Sequence, residues 1–111
     1  MEISFLSKKL AKLASDKREL TRTFGKEVAL KIMARLADMN AASCLTEVSR
    51  VPPARCHELH QDRAGHLAVD LKHPHRLIFR PTAQPPPAKA DGGLDWDKVK
   101  AITITDICDY H

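Results

Sequence analysis

The spacing of apolar residues changes once along this chain, from a helical repeat in the first forty residues to a strand repeat in the second half, and this change limits the fold class more than any other feature. Ser7 suits a helix N-cap, and after it Leu10, Leu13, Leu20 and Phe24 fall at helical intervals. Gly25 stands where a left-handed residue would end that helix, and Ser15-Asp16 leaves room for a break within it. From Lys26, the residues Val28, Ile32, Leu36 and Met39 run at i, i+4, i+8 and i+11, which predicts a second helix ending near Asn40. The two make an antiparallel helical hairpin.

Period two takes over on either side of this helical block. Ile3 and Phe5 alternate with polar residues in a short strand over Glu2 to Phe5. Residues 41 to 54 are ambiguous, with one helical turn at Leu45 to Val48, and Pro52-Pro53 stops whatever precedes it. Arg55 to Leu59 reads as a strand and Asp62 to Gly65 as a tight turn. Leu67, Val69 and Leu71 alternate with Ala68, Asp70 and Lys72 in a half-buried strand. After a turn at His73-Pro74, Leu77 and Phe79 alternate with Arg76, Ile78 and Arg80, so one face is apolar and the other presents two guanidinium groups. Pro81, Pro85 to Pro87 and Asp91-Gly92-Gly93 make residues 81 to 98 a long loop, with Trp96 as its candidate anchor. The run Val99 to Ile107 is a last strand. The expected class is α+β, a single domain over residues 1 to 111 in which an N-terminal strand and a helical hairpin pack on a small, largely antiparallel sheet.

Composition narrows the function classes. No apolar run approaches the roughly 20 residues that span a bilayer, and Met1 to Phe5 does not begin a signal peptide, so a soluble cytoplasmic protein is expected. Cys44, Cys56 and Cys108 are odd in number and scattered, which fits isolated thiols in a reducing compartment. The net charge of +4 is modest and its placement matters more: residues 1 to 36 hold nine basic and four acidic groups, residues 50 to 80 six and three, and residues 81 to 111 three and five. The basic run with Lys8, Lys9, Lys12, Lys17, Arg18 and Arg22 reads first as a solvated face and second as a footprint on RNA. His57 with His60, His73 with His75, and Cys108 with His111 do not match a zinc spacing, so neither a metal nor another cofactor is expected.

Four local features, in order, carry a resemblance: Arg55-Cys56-His57-Glu58-Leu59 leading into Asp62-Arg63-Ala64-Gly65; Asp70-Leu71-Lys72-His73-Pro74-His75-Arg76-Leu77-Ile78-Phe79; Asp91-Gly92-Gly93-Leu94-Asp95-Trp96 with Lys98-Val99; and Asp109-Tyr110-His111. Together with the opening strand and Phe24-Gly25-Lys26 they span essentially the whole chain, which resembles the HigB branch of the RelE/ParE toxin superfamily, the plasmid-maintenance killer proteins. The resemblance implies a toxin that cuts messenger RNA on the ribosome and is silenced by a helix-turn-helix, HigA-like antitoxin. It implies that His57, Arg76, Asp109, Tyr110 and His111 are catalytic. The chain departs from the pattern at His60-Gln61, where relatives often carry Lys-Gly, and at Ala64, where a polar or basic residue is common. Two alternatives share the fold: a ParE-like gyrase inhibitor, which would not need the pair His57 and His111, and a catalytically degenerate member that only binds antitoxin or RNA.

The chemistry of metal-free RNA cleavage asks for the same residue types. A base takes the 2′ proton, an acid protonates the leaving oxygen, and positive charge stands beside the phosphorane. Imidazole, with an ordinary pKa of about 6.5, fills either proton-transfer role, each worth roughly 10² to 10⁴ in rate. His57 and His111 are the candidates, with Asp109 orienting a histidine and Tyr110 stacking on a base or donating to phosphate. Arg63 and Arg76 are the candidate charge stabilisers, and Arg55, His60, Lys72 and Arg80 the candidate contacts to flanking phosphates. Without the resemblance these residues read more plainly: a terminal Tyr-His as a solvated tail, His57 as an edge residue, and the arginines as members of ordinary surface ion pairs.

Overall fold

The computed structural model describes residues 1 to 109. Strand β1 (Glu2–Phe5) leads into helices α1 (Lys8–Ala14), α2 (Lys17–Phe24) and α3 (Lys26–Ala41). Four strands follow: β2 (His57–Glu58), β3 (Leu67–Asp70), β4 (His75–Pro81) and β5 (Ala101–Asp109). Short 3₁₀ turns at Leu45–Glu47, Gln61–Arg63 and Trp96–Lys98 punctuate the connections. The class is α+β, as the change of period implies.

Three helices stand where the periodicity alone suggests two. Ser15 closes α1, its amide donating to the Ala11 carbonyl, and Asp16 opens α2 by accepting from the amides of Arg18 at 3.0 Å and Glu19 at 3.3 Å. Short polar side chains satisfy helix ends better than helix interiors, so the pair cuts the chain into two segments. Asp16→Ala is expected to destabilise the protein by about 1 kcal/mol. A urea midpoint unchanged by the substitution would show that the cap contributes nothing.

The sheet order is β1-β5-β4-β3-β2, with β1 parallel to β5 and every other pair antiparallel. All helices lie on one face, where Leu20, Val28, Ile32 and Met39 meet Leu67, Val69, Leu77, Phe79, Ile102, Ile104 and Ile107. The apolar residues of β5 break period two, since Ile104 and Ile107 are an odd number of positions apart. A bulge resolves the conflict: Phe79 pairs with Ile104 and Ile78 with Asp106, leaving Thr105 as the extra residue, its hydroxyl donating to the Ile78 carbonyl at 3.3 Å. Both isoleucines then point at the helices, and Asp106 and Cys108 turn to the opposite face.

Two expectations about the strands are corrected. The segment Arg55 to Leu59 forms only a two-residue strand, because Arg55 has a left-handed φ of 46° that bends the chain before β2. Strand β3 is covered on both faces: Leu67, Ala68 and Val69 are all buried. Ala68 contributes, with Leu59, Ile78 and Cys108, to a second small apolar cluster on the side away from the helices. Ile78, expected on a guanidinium-bearing face, is fully buried there.

The proline-rich connection is tied back by Trp96, which is buried. The Trp96 indole N–H donates to Glu58 Oε2 at 3.1 Å, and the Arg50 guanidinium stacks over its ring at 3.6 Å. No helix among the described residues is long and apolar enough to cross a membrane.

Candidate active site on the open face of the sheet

Cross-strand partners share a face, so the register lists what the helix-free side of the sheet displays. One row runs His57, Ala68, Ile78, Asp106 from β2 to β5, and the next runs Asp70, Arg76, Cys108. Ala68 and Ile78 form an apolar floor, and charged groups rim it. Arg63, from the 3₁₀ turn after β2, reaches Asp106 with Nη2 to Oδ2 at 3.5 Å. At the far end Arg80 stands opposite Thr103, whose hydroxyl bonds to those of Ser4 and Thr82, both at 2.9 Å.

His57 has a defined orientation. Its Nδ1 lies 2.7 Å from the Arg55 carbonyl oxygen, which only accepts, so Nδ1 carries the proton and Nε2 is the nitrogen left to exchange one. Arg55 forms a forked pair with Asp70, Nε to Oδ2 at 2.7 Å and Nη2 to Oδ1 at 3.1 Å. Arg76 Nε approaches the same carboxylate at 3.5 Å. Hydrogen bonding to Asp70 raises the Arg55 pKa above its ordinary value, the opposing effect of desolvation being smaller.

Other predicted residues fall elsewhere. Lys72 pairs across to Glu27 of α3 at 3.4 Å, on the helical side, and both partners are well exposed, so the contact adds little. His60 is exposed at the start of the 3₁₀ turn that carries Arg63. Asp109 is paired with His75, and their register puts both on the helical side, the opposite face from His57 and Arg76. His75 itself packs edge-on to Phe24, ring centroids 6.0 Å apart. Tyr110 and His111 lie outside the described residues. Backbone separation matters as well: β2 and β5 are three strand spacings apart, or about 14 Å.

The thiols on and under this face are protonated. Burial pushes the Cys56 thiol up to about 12, and burial followed by the nearby Asp106 carboxylate raises Cys108. Neither is a thiolate nucleophile at neutral pH. Among the described residues no three His, Cys, Asp or Glu side chains gather as metal ligands. The face offers one oriented imidazole, four arginines and two carboxylates over an apolar floor. Asp70 and Asp106 are the members that residue-by-residue reading of the sequence missed; an aspartate alternating with apolar residues looks like any solvated strand position.

No protein-family model and no curated protein sequence matches the chain. Among solved structures, a YoeB/ParE toxin from Agrobacterium tumefaciens is similar over 100% of both chains, with a TM-score of 0.58 and 12% sequence identity. The two share a fold. At that identity the likeness concerns the fold alone.

Proposed function

We propose that this protein is the toxin of a toxin–antitoxin pair, a HigB-type, ribosome-dependent endoribonuclease that cuts messenger RNA in the cytoplasm without a metal ion. Residues 1 to 111 form its single domain, and a helix-turn-helix, HigA-like antitoxin silences it. That the solved structure sharing the fold is a YoeB/ParE toxin supports the general reading, and the four motifs support the HigB branch. The observation that carries the chemistry is His57, held at Nδ1 by a carbonyl so that Nε2 is left to exchange a proton, on a sheet face that also carries Arg55, Arg63 and Arg76.

In the proposed reaction the 2′-oxygen of the scissile nucleotide bonds to the adjacent phosphorus as a base takes its proton. The bond from phosphorus to the 5′-oxygen breaks, and an acid supplies a proton to that oxygen, leaving a 2′,3′-cyclic phosphate and a free 5′-hydroxyl. His57 is one of the two proton carriers and His111 the other, with Tyr110 contacting the RNA; Asp109, turned to the helical side, does not orient His57. Arg76 and Arg63 offset the charge of the phosphorane, and Arg55, His60 and Arg80 hold flanking phosphates. Lys72, paired to α3, is the weakest of the proposed RNA contacts.

Induced expression followed by primer extension on cellular messages tests the proposal. New 5′ ends that appear within translated regions and vanish when translation is blocked are expected. A DNA-damage response without such ends would point to gyrase inhibition, and growth with neither would mark a degenerate member.

A further inference from the structure

Arg35 is a guanidinium on the buried face of α3 with only 6% of its surface exposed, and the chemistry proposed above does not use it. Its Nη1 is held by Asp38 at 2.6 Å, and its Nε donates to the backbone carbonyl of Asp70 at 3.2 Å. The Asp70 amide in turn donates to the Ala54 carbonyl at 2.7 Å. The main chain of Asp70 is thus gripped from both sides, and its carboxylate is presented at a fixed place on the open face of β3. There it takes both forks of Arg55, whose left-handed backbone is strained for a non-glycine residue and persists only where the surroundings hold it. Arg55 also donates its own amide to Val51 at 3.0 Å, closing the turn that aims its carbonyl at His57.

We propose that Asp70 is the positioning residue of the site: through its forked pair with Arg55 it holds the carbonyl that keeps the proton on His57 Nδ1 and leaves Nε2 as the reactive nitrogen. The helical layer reaches the imidazole by a continuous series, Arg35 to Asp70 to Arg55 to His57. A loosened Arg55 carbonyl would free the ring to take the Nε2–H tautomer that imidazole ordinarily favours in water, with the wrong nitrogen protonated for exchange on the open face. The same carboxylate reaches Arg76, so a single anion orders the base and one of the phosphate-binding groups. The role assigned to Asp70 rests on the nuclease reading, but the tautomer of His57 does not.

Long-range nitrogen–carbon-proton NMR of the 15N-labelled protein reads the two ring nitrogens of His57 directly. The wild-type protein is expected to show a protonated Nδ1 and an acceptor Nε2, whereas Asp70→Asn moves the pattern toward Nε2–H and slows cleavage of ribosome-bound message at least tenfold. Arg55→Lys, which keeps the charge and loses the fork, is expected to give the same nitrogen pattern and serves if Asp70→Asn does not fold. Asp106→Asn, at the other carboxylate of the face, should leave the pattern as in wild type. An unchanged pattern in both Asp70→Asn and Arg55→Lys overturns the proposal. A wild-type protein that shows the expected pattern but cuts no RNA leaves the positioning contact standing and defeats the nuclease reading instead. A changed pattern with cleavage undiminished would refute the catalytic consequence of the contact.

Discussion

His57→Ala is expected to lower the rate of message cleavage by at least about a hundredfold, because a positioned proton carrier contributes roughly 10² to 10⁴. The side chain is half-buried and its single described hydrogen bond is to the Arg55 carbonyl, so the loss of stability should be only about 0.5 to 1.5 kcal/mol. Cleavage of ribosome-bound message by the purified variant, measured beside its thermal midpoint, separates the two effects. On the proposed mechanism the loss should lie in kcat with KM little changed, since an imidazole that moves protons acts in the transition state. A change of a few-fold would return His57 to the status of an edge-strand histidine.

Phe79→Ala should have the largest effect on stability. Phe79 is fully buried at the centre of the sheet, between Leu67 of β3 and Ile104 of β5, under the helices. Truncating a buried phenylalanine costs about 3 to 5 kcal/mol, from lost transfer energy and from the cavity left behind. A domain of this size has about 5 to 15 kcal/mol in total, so a large share of the margin goes. The expected fall in thermal midpoint is more than about 10 °C, and the urea midpoint should drop with the slope unchanged. Tyrosine at this position would add a hydroxyl with no partner in the core, whereas leucine should recover much of the loss. A variant as stable as wild type would mean that the two layers close over the gap.

The elements most legible in the sequence are those whose cause is local. The i, i+4, i+8 series of Val28, Ile32 and Leu36 gives one long helix because it places an apolar stripe on one side, whatever that side later meets. Gly25 ends α2 with a φ of 87°, as its position after Phe24 suggests. The loop anchor at Trp96 was legible in the same way, as the one aromatic residue in a proline-rich stretch, although nothing in the spacing points to Glu58 as its partner 38 residues away. The burial of Ile78 was not legible, because alternation counts which residues share a face and does not say whether that face is covered.

The candidate site divides along the same line. The residue types needed for metal-free cleavage of RNA, and the order of the motifs that carry them, are plain in the chain itself. Which of them meet is decided by register. The one-residue bulge at Thr105 reverses the direction of everything after it, turning Asp106 and Cys108 to the open face and Asp109 to the helical one. The forked pair of Arg55 and Asp70 joins positions 15 apart, and the buried guanidinium of Arg35 joins helix to strand over 35. Helical and strand periods are properties of neighbouring residues and so are written in the sequence. The aim of an imidazole at position 57 depends on carbonyls and carboxylates brought up by other strands, and only the packed sheet determines where those stand.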